Sequence, residues 1–267
     1  MPLPNTKSQE FDDPLLVEDD FIRNQVAQLE EWMRFLKSVS LTAATIASSV
    51  TAGAESRPAD IVDVKSVDDS ILVNMMYNTD ENFVGAKIEG YRANICFLTR
   101  QAAQALKNAQ SRLKKRAEEK NTKMVLLARD CYRPRKAVQH FVRWANDPSA
   151  TEKKETYYPE LPKDRLIKDG YIASVSGHSR ASTVDITIAE LQDDGNYKEV
   201  DMGTIVDYFG EKSHTDSRAI TKDQAASRKL LKSVLAPEFK NYSKEWWHYS
   251  LAQEPYPNTG FDFDVVP

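Results

Sequence analysis

Apolar positions along the chain change their spacing several times, and each change marks an element. Between residues 61 and 77 the spacing is close to two, with Val62, Val64, Ile71 and Val73 at alternating positions, which reads as extended chain. Thr99 then offers an N-cap for a helix running to about Lys120, with Ala102, Ala103, Leu106 and Leu113 facing inward. Its end is basic (Lys114, Lys115, Arg116), as the helix dipole favours. The run MVLLARDC, 124–131, is short and apolar and reads as a buried strand. Pro134 biases Arg133 away from helical backbone, which leaves that arginine on an extended or turning chain at the strand's end. A second helix is expected over Arg135–Ala145, with Val138, Phe141, Val142 and Ala145 at helical spacing. Residues 147–170 are polar and loop-like. Thr183–Ile188 reads as a strand, Thr221–Leu235 as a helix and Trp246–Leu251 as a closing strand. Helices and strands in this mixed order predict an α+β fold, with helices packed on a small antiparallel sheet.

A Ser/Thr/Ala/Gly-rich stretch, 38–60, separates an N-terminal extension (1–54) from the main domain (55–267). From Met33 the extension reads MRFLKSVSLTAATIASSVTAGAES. A basic head, a mildly apolar middle and a small-residue Ala52-Gly53-Ala54 end are the parts of a secretory signal, here 33–54. An amphipathic helix continuing from Ile22, Val26, Leu29 and Trp32 is the competing reading. Translation from Met33 predicts an exported, periplasmic protein beginning near Glu55; otherwise the expectation is cytoplasmic.

Composition narrows the function classes. A net charge of −4 carries no basic excess, so nucleic acid is not an expected partner. No run reaches the roughly 18 apolar residues of a membrane span. Two cysteines, Cys96 and Cys131, are too few for a disulfide scaffold or a thiolate zinc site. They form either one bridge in an oxidising compartment or two buried thiols.

Four histidines make the search for chemistry small. His140 falls in an amphipathic helix and reads as structural. His178 lies in a Gly/Ser loop ahead of a strand in which Asp185 opposes Val184, Ile186 and Ile188. A carboxylate on a partly buried sheet needs compensation from a metal ion, a salt bridge or backbone hydrogen bonds. In KEWWHYS, 244–250, Glu245 and His248 flank two tryptophans. Either the tryptophans are core anchors with polar neighbours, or His248 is a third ligand and Glu245 a base that binds no metal. Two histidines, a carboxylate and an open position form a catalytic zinc arrangement. Residues three apart point to opposite faces of a regular strand, so Glu245 must then sit in a bend before it. In RDCYRP, Arg133 suits an oxyanion or a carboxylate, or a plain salt bridge to Asp130.

The motifs SGHSRASTVD, EWWH and DCYRP together resemble the D-alanyl-D-alanine dipeptidases, zinc enzymes of the vancomycin-resistance type. The likeness spans roughly residues 60–263 and includes NFVG (82–85), YRPRKAVQHFVRWA (132–145), GYIASVSGHSR (170–180), DMG (201–203) and EWWHYSL. It implies a single zinc-peptidase domain with one zinc per chain, held by His178, Asp185 and His248, and a small dipeptide as partner. It implies that Glu245 activates the zinc water and that Arg133 meets the transition-state oxyanion. Ser176 and Asp207 fall where the family contacts the substrate's amino end, and Tyr77 near the pocket. His214 is expected to line that pocket. The implied reaction is hydrolysis of D-alanyl-D-alanine to two D-alanines. D,D- or L,D-carboxypeptidase action on peptidoglycan peptides is the nearest alternative, and a non-catalytic wall-binding relative the next. The family usually has glycine where this chain has Ala181; if that position needs positive φ, alanine costs about 1 kcal/mol. In an exported protein, Cys96 and Cys131 are expected to form a disulfide.

Overall fold

The computed structural model describes residues 55–236 and 238–267, so the extension 1–54 and its signal-like segment lie outside the described residues. The extended segment is realised in pieces, β1 (Ile61–Asp63) and β2 (Leu72–Val73), with a 3-10 turn at Val64–Ser66 between them. A strand absent from the sequence reading, β3 (Phe97–Thr99), pairs antiparallel with β1 and runs directly into α1 (Arg100–Glu118). Thr99 caps that helix as expected, its hydroxyl accepting from the Ala102 amide at 3.3 Å.

The main sheet is built on β4 (Met124–Asp130) and β5 (Thr183–Leu191), the latter three residues longer than its pattern predicts. Tyr197–Glu199 (β6), Phe239–Asn241 (β7) and His248–Leu251 (β8) complete it. The order is β2-β4-β5-β8-β7, with β6 also on β5. All these pairs are antiparallel except the edge pair β2–β4. Helix α2 (Arg135–Asn146) follows β4 after Pro134, as the proline predicts. The stretch 147–170, expected to be a loop, contains two single-turn helices, α3 (Lys154–Tyr157) and α4 (Arg165–Lys168). Tertiary contacts hold them: Lys163 donates to the Asp147 and Ala150 carbonyls at 2.6 and 2.5 Å, over the Trp144 ring. Among the described residues no helix is long and apolar enough to cross a membrane.

On β4 and β5, Leu126, Ala128, Val184, Ile186 and Ile188 join the main core with the inward residues of α1. The opposite face carries Val125, Leu127 and Ala189 at one end and the polar residues of the site at the other. A β-bulge between Ala128 and Asp130 decides what that face presents. In regular register Asp130 would share the face of Ala128; the extra residue instead sets it opposite Asp185. His248 is the cross-strand partner of Asp185 on its other side. Three polar side chains thus lie in a row across three strands.

Helix α5 (Lys222–Leu235) opens with a full capping box, Thr221 and Gln224 bonding each other's backbone amides. From it Arg228 donates to the carbonyls of Met202, Lys212 and His214 at 2.6–3.0 Å. Burial pushes its pKa down to about 10, and its three carbonyl acceptors fix the segment that carries Asp207.

Cys96 and Cys131 form a disulfide with a Cα separation of 5.3 Å. It joins the end of β4 to the approach to β3 across 35 residues. Closing such a loop stabilises by about 4 kcal/mol in the chain-entropy account. A Cys96→Ala/Cys131→Ala variant should lose roughly that much unfolding free energy in urea titration; an unchanged midpoint would show that the loop is already constrained.

Ala181 ends the 3-10 turn Gly177–Arg180 with φ 55°, in the left-handed region. The strain of an L-residue there, about 1–2 kcal/mol, exceeds the roughly 0.8 kcal/mol gained by burying its methyl. Ala181→Gly is therefore expected to raise stability by no more than about 1 kcal/mol, read as a Tm increase of a few degrees. A fall in Tm would mean that methyl packing dominates.

Candidate active site

Asp185 is the centre of the site, 1% exposed and flanked by Asp130 and His248 through strand register. His178 reaches it from the 3-10 turn ahead of β5, its Nε2 lying 3.3 Å from Asp185 Oδ2. That turn makes a close approach: a Cβ on Gly177 would sit 2.7 Å from Thr183 Oγ1, so only glycine fits. His248 Nδ1 lies 3.0 Å from Asp185 Oδ1 and 3.3 Å from His178 Nε2. One ligand atom from each of the three residues falls within 4.8 Å of the others, a group that could hold a metal ion.

Further contacts fix how these ligands point. His178 Nδ1 donates to the Cys131 carbonyl at 2.7 Å, which places its proton there and leaves Nε2 as a lone-pair donor toward the cluster. Asp130 Oδ2 lies 3.3 Å from the same Nδ1 and accepts from Arg133 Nε at 2.9 Å, while its other oxygen accepts from Tyr91. Asp130 therefore orients both a histidine and the arginine. The sequence offered it only as a salt-bridge partner for Arg133; the bulge that turns it inward left no mark in the residue pattern.

Glu245 lies in the turn before β8, as its spacing required, because β8 begins only at His248 and leaves Trp246 and Trp247 ahead of it. Its Oε2 is 3.5 Å from His248 Nδ1. Burial and then the charge of Asp185 push its carboxyl well above the usual range, against Arg133 and Lys244. Arg133 stacks between the Tyr77 and Phe141 rings, with Nη2 3.4 Å from Asp185 Oδ2. Asp207 accepts from the Tyr77 hydroxyl at 2.6 Å. Burial, then Asp185, raises Asp207 to about 8, opposed by that hydroxyl and Arg133. Burial also pushes Asp185 upward, but His178 and His248 outweigh it and hold the group well below the carboxylate range.

Tyr77, Arg133, Ser176, Asp185, Asp207, Glu245 and His248 line one pocket of about 290 Å³, with His178 behind Asp185. Ser176 also stabilises the ligand turn, its hydroxyl accepting from the His178 amide at 3.2 Å. Phe83, Phe141, Phe209, Tyr171 and Tyr242 supply the apolar wall; Phe83, Phe141 and Tyr171 fall inside the quoted motifs, whereas Phe209 and Tyr242 fall in none. His214, expected to line the pocket, stands one layer back, its Nε2 3.2 Å from the Tyr171 hydroxyl. His140 lies outside the pocket, on α2 beside Glu89.

The donor set suits a divalent cation. Two imidazoles and a carboxylate match zinc chemistry. Asp130, Asp185, Asp207 and Glu245 also face the Arg133 guanidinium at close quarters, so a further positive charge relieves their repulsion.

Residues 57–266 match the family described as D-ala-D-ala dipeptidase, Peptidase M15. A D-alanyl-D-alanine dipeptidase of Enterococcus faecalis is 40% identical over 190 residues, 71% of this chain and 90% of the relative. One from Streptomyces coelicolor is 38% identical over 191 residues, with the same two coverages of 71% and 90%. A more distant one from Escherichia coli is 25% identical over 195 residues, 73% of this chain and 86% of the relative. By the extent of that match and the identity to these relatives, this chain belongs to the D-ala-D-ala dipeptidase family of M15 peptidases.

Proposed function

We propose that this protein hydrolyses D-alanyl-D-alanine to two D-alanines with one zinc ion held by His178, Asp185 and His248. The observation that carries the reading is the convergence of those ligands with buried Glu245 and Arg133 in one small pocket. Zinc, when bound, supplies Lewis acidity and acidifies water towards a pKa of about 7.

The chain's own residues do the rest. Glu245 binds no metal in this scheme; it removes a proton from the attacking water and returns it to the leaving nitrogen as the peptide C–N bond breaks. Its raised pKa suits both halves of that exchange. Arg133, held by Asp130 and by two aromatic rings, keeps a permanent positive charge beside the carbonyl oxygen on which charge develops. Asp207 faces the substrate's ammonium with Ser176 nearby, and Tyr77 fixes the Asp207 carboxyl. An arriving ammonium favours the ionised form of Asp207 and lowers its pKa from about 8.

Pocket size favours a dipeptide over a longer chain. About 290 Å³ walled by aromatic rings lies at the lower edge of small-ligand cavities, roughly 300–1,000 Å³. The Cys96–Cys131 disulfide supports an exported location, where such bridges persist.

Two measurements test the reading. Glu245→Gln should lower kcat on D-alanyl-D-alanine by about 10²–10⁴-fold, the range of general acid–base catalysis, while zinc content stays at one per chain. Undiminished turnover would remove Glu245 from the mechanism, and activity confined to a peptidoglycan pentapeptide would reassign the enzyme as a carboxypeptidase. Dialysis against a chelator should abolish turnover and lower Tm, and zinc should restore both; His178→Ala should bind zinc too weakly to retain it on a desalting column. Full activity after verified metal removal would sink the metal-dependent reading.

A further inference from the structure

A second cleft of about 340 Å³ lies beside the catalytic pocket and shares Val175 and Ser176 with it as a dividing ridge. Three distant segments form it: the first turns of α2, the ridge loop with the turn that follows, and the tail around Gly260. The tail is fixed in place, since the Phe261 amide donates to Ser179 O at 2.8 Å and the Arg135 amide to Phe261 O at 3.2 Å.

The polar groups facing this cleft are unevenly satisfied. Ser179 is 3% exposed, yet its hydroxyl has no hydrogen-bond partner among the described residues. Arg180 is already committed to Glu254 by two bonds of 2.6 and 2.7 Å. Arg135 lines the cleft as an exposed guanidinium with no carboxylate within 4.0 Å among the described residues. Gln139 and Asn258 add amide groups, and Val138, Val175 and Pro257 add an apolar side. Val175, on the ridge between the two clefts, is 78% exposed.

We propose that this cleft is a second binding site, for the carboxylate end of an amino acid or short peptide. Arg135 takes the carboxylate, the Gln139 and Asn258 amides take the adjoining polar atoms, and the valines and proline take a small aliphatic side chain. Val175 and Ser176 line both this cleft and the catalytic pocket, so the two sites adjoin along that ridge. The site rests on its own residues and does not require the hydrolytic reading.

Isotopically labelled protein titrated with D-alanine tests this, followed through the side-chain amide signals of Gln139 and Asn258. N-acetyl-D-alanine, mimicking a peptide's last residue, and inorganic phosphate serve as parallel arms. Saturable shifts are expected with one or both carboxylates, and the tighter of the two identifies free amino acid or peptide end as the source. Arg135→Gln should weaken the apparent Kd at least tenfold. Gly260→Val should block the cleft while the Gly170 and Tyr171 signals of the catalytic pocket still respond. An added Cβ at Gly260 meets only ordinary contacts, 3.4 Å to Arg135 Cδ and 3.6 Å to Ser179 Cβ, so the backbone accepts a side chain there. The proposal fails if neither carboxylate moves the two amide signals, or if Arg135→Gln leaves the titration unchanged. It fails equally if phosphate alone reproduces the response. Turnover by Arg135→Gln should remain within twofold of wild type, which separates this site from the catalytic one.

Discussion

Burying the charged carboxylate of Asp185 between two strands would cost several kcal/mol if nothing met it, and most of the fold around it supplies what does. His178 arrives from a tight turn, His248 from the neighbouring strand and Arg133 from the chain beyond β4. Each comes from a separate stretch of sequence, so the site exists only when the sheet has its full register. That dependence makes the β4 bulge consequential. A one-residue slip would return Asp130 to the opposite face and release both His178 and Arg133 from their orienting partner.

Electrostatics within the pocket follow from the same crowding. Asp185 keeps its charge because the histidines stabilise it; burial raises Asp207 and Glu245, and that retained charge raises them further. The pocket thus holds carboxyl groups in opposite conditions a few ångströms apart. A charged group suits a cation, whereas a group with a raised pKa suits proton transfer. Environment rather than residue type separates these tasks.

Residue types brought the candidate metal cluster into view in the sequence. Few histidines were available, and an aspartate inside an apolar strand demanded compensation, which made His178, Asp185 and His248 candidates; the resemblance of their motifs to the dipeptidases joined them as one set. The spacing of Glu245 also required a bend, and β8 begins late enough to provide it. Asp130 escaped because its role depends on a bulge, a feature of strand pairing rather than of residue order. The three-residue strands β3, β6 and β7 escaped for a related reason, being too short to show a period. Helices α3 and α4 are single turns held by contacts such as that of Lys163 with the Asp147 and Ala150 carbonyls. The second cleft draws on residues more than a hundred positions apart, and no local pattern could announce it.

The disulfide and a histidine of the candidate metal cluster meet at one peptide unit, and this joins stability to the site. Cys131 is anchored through its sulfur to Cys96, and its carbonyl accepts the proton-bearing nitrogen of His178. A carbonyl held by a covalent cross-link moves less than one on a free loop, so the imidazole it orients is held in one ring orientation before any ligand arrives. The strained Ala181 closes the same turn, and Ser179 within it faces the second cleft. Four residues, Gly177 to Arg180, therefore link a close backbone approach, a histidine of the candidate metal cluster, an unpartnered hydroxyl and an ion pair with Glu254. A turn this constrained has little freedom to adjust at one residue without moving the next, which places the two clefts within a single mechanical unit.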